Sequence, residues 1–272
     1  MNFKNLEDKC RYYQSLTNYK LLPNSYILVH LDGKNFSKLI KNNFEKPFDT
    51  KFMDMMNRTA KFLCDNVQGC KIGYVQSDEI SLLITDFDTP KTDTLFGGRL
   101  CKIQSILAAM ATSEFNRWFM LYNLTGKCEY NNSTFEVSNL EEQIKKMKMA
   151  QFDCKCWVVP NENDAFAWFL YRNLECVRNS KQQAAQTYLP NERLKGKTAD
   201  EQIEMLKNER GIDWNKYLPD EQYGRFIARQ SKKFTKLVNG EEVPFVRNKF
   251  EIMSGIPLNE ENNKEKFIEL WK

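Results

Sequence analysis

Apolar positions along this chain change period several times, and each change marks an element. From about Phe3 to Tyr19 the spacing is helical. "SYILVHLDG" (Ser25–Gly33) is an apolar run ending in Asp-Gly, the pattern of a strand closed by a turn. A short helical turn and the loop "NFEKPFD" (Asn43–Asp49) follow. Phe52, Met55, Met56, Ala60 and Leu63 then keep helical spacing to Val67, with Asp49 placed as the N-cap. Ile72, Tyr74, Val75 and Gln76 read as extended, Ser77 and Asp78 as a turn, and Ile80, Leu82 and Ile84 alternate with Ser81, Leu83 and Thr85. This predicts a tight hairpin with Asp78 and Glu79 at its tip. A long helix is expected over roughly Thr94–Tyr122, with Leu100, Ile103, Leu107 and Met110 as its core stripe, and "FDCKCWVVP" (Phe152–Pro160) as another strand.

The predicted order is β-α-β-β-α-β in an α+β protein, the ferredoxin-like arrangement that polymerase palms share. It sets the end of the first strand beside the hairpin. Asp32 and Asp78, distant in sequence, become neighbours. A polar turn would account for Asp78 and Glu79 taken alone; the fold order gives them chemistry. Two carboxylates brought together repel unless a cation lies between them. Hard oxygen ligands suit Mg²⁺, which binds through one or two carboxylates and substrate phosphates. Two such ions clamp the attacking and leaving oxygens of a phosphoryl transfer.

The second half reads as helix and then strand. Glu162–Tyr188 is a long helix. Thr198 and Glu201 form a capping box for a helix through Glu209, closed by Gly211. "FTKLVNGEEVPFV" places Asn239-Gly240 between extended runs, a strong hairpin signal. The tail from Asn259 is polar and reads as a loose helix. The chain divides into a catalytic core with its N-terminal helix, residues 1–160, and a helical and β-hairpin extension packed on it, residues 161–272.

Composition adds partners. Of 272 residues, 42% are hydrophobic, enough for a real core. The longest apolar run, around Ile103–Ala111, is too short for a bilayer. The charged start argues against a signal peptide, so the chain reads as soluble and cytoplasmic, with a mitochondrial location left open. Net charge is only +4, but basic residues cluster at Lys145, Lys146 and Lys148, at Arg193, Lys195 and Lys197, and along "RFIARQSKKFTK" (Arg225–Lys236), which has no acid. Such a stripe suits a phosphate backbone, although any single cluster taken alone reads better as a solvated face. Eight cysteines without a CxxC pair, and one histidine, argue against zinc and for reduced, core-filling thiols.

Two separated motifs carry a resemblance. "HLDGKNFSKLIKNNFEKPFD" (His30–Asp49), followed by "QSDEISLLI" (Gln76–Ile84), resembles the tRNA-His guanylyltransferase family, the 3′-to-5′ RNA polymerases. "FGGRLCKIQSILAAMATSEFN" (Phe96–Asn116) and "FDCKCWVVP" are also similar to it. The resemblance implies a palm-like fold, a homotetramer, and addition of nucleotides to the 5′ end of tRNA with two Mg²⁺ ions, using ATP, GTP or other nucleoside triphosphates. Carried over, Asp32, Asp78 and the carbonyl of Gly33 would bind metal, with Glu79 supporting them. Asp32, Gly33, Lys34, Asn35, Phe36, Ser37, Ser77 and Asp78 would line the triphosphate. Lys46 and Asp49, in the family's KPxD loop, would contact nucleotide. Arg99 and Lys102 would hold phosphate from one helix face. Contacts to tRNA would come from Arg172, Arg178, Asn179, Lys195, Lys197, Arg225, Arg229, Lys232 and Lys233.

The departures refine this. The family's tRNA-His enzymes carry a HINNLYN-like segment; here the stretch is "ECVRNSKQQ" (Glu175–Gln183), with Val177 at the histidine position. Together with "LKGK" (Leu194–Lys197) and "RGIDWN" (Arg210–Asn215), it resembles the guanylyltransferase-like branch. That branch is associated with templated repair of 5′-truncated tRNAs. His30 stands where the family more often has arginine; it could titrate near neutral pH, but a strand residue facing the palm is the simpler reading. Alternatives are addition of a single G to tRNA-His, a palm-fold nucleotide cyclase, and a non-catalytic RNA-binding protein.

Overall fold

The computed structural model describes residues 3–125, 144–145, 147–238, 241–258 and 264–272. Lys146, Cys128 and the Asn239-Gly240 turn expected from the sequence lie outside them, as does the start of the polar tail. The elements in chain order are α1 (Leu6–Ser15), β1 (Tyr26–Gly33), α2 (Phe36–Asn43), α3 (Thr50–Asn66), β2 (Cys70–Gln76), β3 (Glu79–Ile84), α4 (Leu100–Thr125), β4 (Phe152–Val159), α5 (Glu162–Tyr188), α6 (Ala199–Arg210), β5 (Arg225–Val238), β6 (Glu241–Ser254) and α7 (Lys264–Glu269). Among the described residues, no helix is long and apolar enough to cross a membrane.

One six-stranded antiparallel sheet, ordered β4-β1-β3-β2-β5-β6, organises the chain. Alternation in β1 and β3 sends side chains to two cores. Ile27, Val29, Leu31, Ile80, Leu82 and Ile84 meet α3 and α4 on one face, and Leu28 and Leu83 meet Phe166 and Phe169 of α5 on the other. Both faces are covered, so the central strands bury nearly every side chain. The distal half of α5 continues past the sheet and packs Ala184 and Ala185 on Leu194, Leu206 and Trp214.

Local signals place several boundaries. Asp49 caps α3, accepting from the amides of Lys51 and Phe52, and Thr198 and Glu201 form the capping box of α6, which ends on left-handed Gly211. The expected helix from Thr94 is corrected: α4 starts only at Leu100, because Phe96, Gly97 and Gly98 all have positive φ. Gly98 also accepts from Leu21 N, and a Cβ there would stand 3.0 Å from the Leu21 carbonyl, so a side chain is excluded on two grounds. The basic stripe from Arg225 is strand β5, whose first residues pair with β2. Cysteines in the described residues are free, and burial pushes the Cys154 and Cys156 thiols up to about 12.

Candidate active site

β1 brings Asp32 directly opposite Glu79 of β3 on one side and Asp153 of β4 on the other. The β2–β3 turn is two residues long; Ser77 adopts φ 44° and its hydroxyl donates to Asp78 Oδ1 at 3.0 Å. The first strand and the hairpin thus meet as their order in the chain predicts. Gly33 lies under the Phe36 ring, leaving no room for a Cβ.

Asp32, Asp78 and Glu79 are not equivalent. Glu79 accepts from Gln76 Nε2 at 2.8 Å and is ion-paired with Arg172. Arg172 reaches in from α5, buried, with Trp168 and Tyr171 rings 5.7 and 5.1 Å away. Glu79 is therefore held as a neutralised strut. Asp32 and Asp78 have no ion-pair partner among the described residues. Burial, then the charge of Glu79, raises Asp32 above the usual carboxylate range. Burial pushes Asp78 up to about 6, with Asp32 and Glu79 adding to it against the opposing Ser77 hydroxyl. Two half-buried carboxylates with unfavourable ionisation are a donor set that a divalent cation would relieve. No cluster of three or more His, Cys, Asp or Glu among the described residues is arranged to hold a metal alone. A Mg²⁺ ion at Asp32 and Asp78 would thus need phosphate oxygens and water to complete its shell.

Around this pair, Lys34, Asn35 and Ser37 are exposed, whereas the Phe36 side chain is 1% exposed among Phe52, Phe115 and Phe152. Phe36 can offer a ligand only its backbone. In the KPxD-like loop, Lys46 is exposed and Asp49 is engaged by the amides of Glu45, Lys51 and Phe52. Asp49 fastens the loop to α3. Gln183 of α5 donates to the Pro47 carbonyl, tying the same loop to the second half of the chain.

Other expected residues fall elsewhere. Arg99 is not on the helix face but just before α4, extended, and paired in an isolated bridge with Lys20. Thr112 accepts from Phe152 N, and Phe152 pairs with Gly33, so that turn of α4 is level with the acids. Arg99 precedes Thr112 by 13 residues, about 20 Å at 1.5 Å per residue. Arg99 and Lys102 lie toward the opposite end of the sheet, beside Arg11 and Asn18. Arg172 is corrected from RNA contact to buried partner of Glu79. Arg225 is corrected as well: it is 3% exposed and donates to Asn57 Oδ1 at 2.7 Å. Arg178 is exposed but paired with Glu175. Asn179, Lys195, Lys197, Arg229, Lys232 and Lys233 are exposed, with Arg229 over the Phe250 ring and Lys232 paired with Glu251 at 2.7 Å. His30 is buried, 3.4 Å from Ser81 Oγ, and held down at about 4 by burial and then by Arg172. It is neutral at pH 7, not a near-neutral titrating group.

Sequence reasoning missed Asp153 and Lys155. They stand across β1 from Asp32 and His30 on exposed positions of β4. The predicted strand order puts β4 beside β1, but the register that selects these residues is visible only in the sheet.

The tRNA-His guanylyltransferase family, Thg1, matches residues 7–160. An uncharacterised protein, R259, of Acanthamoeba polyphaga mimivirus is 27% identical over 85% of this chain and 80% of its own. The tRNA(His) guanylyltransferase of Debaryomyces hansenii is 26% identical over 77% of this chain and 76% of its own. Among solved structures, a bacterial tRNA(His) guanylyltransferase (Thg1)-like protein in complex with ATP superposes with a TM-score of 0.71 at 29% identity, covering 82% of this chain and 88% of that one. With the family's match spanning more than half of the sequence, this chain belongs to the tRNA-His guanylyltransferase family.

Proposed function

We propose that this chain is a Mg²⁺-dependent nucleotidyltransferase that adds nucleotides, 3′ to 5′, to the 5′ end of truncated tRNA. The observation that carries this is the closeness of Asp32 to Asp78, neither with an ion-pair partner among the described residues, while Arg172 neutralises Glu79 beside them. Mg²⁺ held by Asp32, Asp78 and the Gly33 carbonyl would supply the positive charge that activates a 3′-hydroxyl and offsets the developing charge on the leaving phosphate. Arg172 keeps Glu79 out of that donor set. Lys34, Lys46 and Lys155, all exposed, are available to phosphate oxygens. A 5′-monophosphate end is first activated with ATP, in line with the bacterial Thg1-like protein, whose structure is a complex with ATP. Activation transfers AMP to the 5′-phosphate with release of pyrophosphate; the 3′-hydroxyl of the incoming nucleotide then attacks the 5′-phosphorus, breaking its anhydride bond and releasing AMP. In the palm-like reading, Arg99 and Lys102 serve the substrate of a neighbouring copy in a homotetramer, since one chain separates them from its own acids.

Val177 in place of a histidine, with the "LKGK" and "RGIDWN" stretches, supports templated repair. Addition of a single G, the activity named for the curated relatives, is the competing reading. The test is addition to a 5′-monophosphorylated tRNA lacking its first nucleotide, with all four nucleoside triphosphates, and to the same tRNA with the opposing base changed. Product that follows the changed base supports repair. G added regardless supports the single-G reading. No product on either RNA overturns the proposal.

A further inference from the structure

Helix α5 shows solvent two large apolar side chains three positions apart: Tyr171 is 50% exposed and Leu174 is 54% exposed. At that spacing they share one face of the helix. A scattered exposed side chain needs no explanation; what sets this pair apart is where it stands. The Tyr171 ring lies 5.1 Å from the guanidinium of Arg172, which grips Glu79, and Glu79 stands opposite Asp32. Behind Tyr171, Trp168 is 5.8 Å away and reaches Trp157 of β4 at 4.7 Å, centroid to centroid. Trp168 is fixed in turn by donating from Nε1 to Ser81 Oγ at 3.1 Å. The exposed ring is therefore backed by aromatic side chains that hold it in place. β4 is an edge strand, and its Asp153, Lys155 and Trp157 pair with Asp32, His30 and Leu28 in turn. Alternate residues share a face, so a row of acid, cation and indole leads away from Asp32. The row is about 13 Å long at about 3.3 Å per residue, the length of four stacked nucleotides at about 3.4 Å each. Lys155, in the middle of it, is exposed.

We propose that this patch is a stacking platform for the unpaired 3′ strand of the RNA, with bases on Tyr171 and Leu174 and a backbone phosphate at Lys155. This deepens the function proposed above and rests on it. Each nucleotide lost from the 5′ end of a duplex unpairs its partner on the 3′ strand. That strand leaves the duplex where the 5′ end stops, which is beside the acids and hence beside Tyr171. An aromatic ring accepts any base, because every base has a π-face. The platform therefore holds the strand without reading it, and stacking leaves the pairing edge of each base free for an incoming nucleotide. A cation beside the rings favours this polyanion over a second protein surface.

The experiment measures dissociation constants of the full chain for three 5′-monophosphorylated RNA hairpins, without nucleoside triphosphates. They share one stem and end blunt, in four unpaired 3′ nucleotides, or in four abasic 3′ sugar-phosphates. The expected result is that the nucleotide tail tightens binding to wild type at least fivefold over the blunt hairpin, and that the abasic tail recovers less than half of that gain. Tyr171→Ala should lose the gain, Tyr171→Phe should keep it, and Leu174→Glu, at an exposed position, should weaken it, while the blunt hairpin binds all of them within twofold. Equal binding of tailed and blunt hairpins to wild type, which needs no variant, overturns the inference. So does Tyr171→Ala that keeps the gain, or variants that change the oligomeric mass in gel filtration, since the patch would then be a contact between copies. A tail gain that behaves as expected, with no nucleotide added to any RNA once triphosphates and Mg²⁺ are supplied, would instead strike the proposed reaction.

Discussion

Arg172 and Glu79 stand 93 positions apart and form an ion pair that is mostly buried, their side chains 10% and 23% exposed. Breaking one partner of such a pair leaves the other charge buried. Arg172→Gln is expected to cost about 3 kcal/mol in chemical denaturation and to lower nucleotide addition at least tenfold. Arg172→Gln with Glu79→Gln should recover most of the stability. Equal destabilisation in the double variant would show that packing against Trp168 and Tyr171, not charge, is what Arg172 contributes.

Asp78→Ala removes a carboxylate that burial and two neighbouring acids already disfavour in its charged form. Metal-free protein should melt at the wild-type temperature or above it. Metal-dependent addition should fall by several orders of magnitude. Activity near wild type would place the metal elsewhere.

The raised Asp78 also sets a pH dependence. Its folded value, about 6, exceeds its ordinary value of 3.8. Its contribution to stability is therefore full below about 3.8 and is lost as pH rises through 6. Metal-free wild type should lose stability relative to Asp78→Asn between pH 4 and 7, followed by thermal melting. Added Mg²⁺ should stabilise wild type more at pH 7 than at pH 5, since only the ionised carboxylate binds it.

Arg99 and Lys102 can be assigned by complementation. If they serve a neighbouring copy, neither Asp78→Ala nor the double variant Arg99→Ala/Lys102→Ala should be active alone. Co-assembled oligomers of the two should regain a substantial fraction of addition. Mixtures no more active than the sum of their parts would remove the neighbouring-copy role.

The exposed half of β5 carries the expected RNA contacts. Arg229→Ala and Lys233→Ala should each weaken tRNA binding and reduce the slope of affinity against salt by about 1. A filter-binding titration across salt concentrations reads this directly. An unchanged slope would free these residues from any phosphate.

What can be read in the sequence is local or topological. Asp49 and the Thr198–Glu201 box announce helix starts through side chains that bond amides within three residues. The meeting of Asp32 with the hairpin follows from element order alone. Arg172 in "WFLYRNLECV" and Arg225 in "QYGRFIAR" look like contact residues from their charge, and their burial depends on which strand or helix lies opposite. Arg225 opens β5 opposite Val75, inside the sheet, while Arg229 on the same strand is exposed. The change from Phe226-Ile227-Ala228 to Arg229-Gln230 marks where the strand leaves the core, but the charge of Arg225 hides that it lies on the buried side. Asp153 and Lys155 stay hidden for the same reason, since the register of β4 on β1 is a long-range property.

Helix α5 also fixes a distance. Arg172 grips Glu79 beside Asp32 and Asp78, and Gln183 grips the loop at Pro47, from the same uninterrupted helix. Eleven positions separate them, about 16 Å of rise. The helix is therefore a gauge block: it holds the gap between the carboxylates and the KPxD-like loop at a fixed length. A single residue added between positions 172 and 183 would swing Gln183 about 100° around the axis. The loop would lose its tie to α5 and keep only the one to α3 through Asp49, while the acids stayed in place, so spacing within α5 is as much a part of the site as any side chain in it.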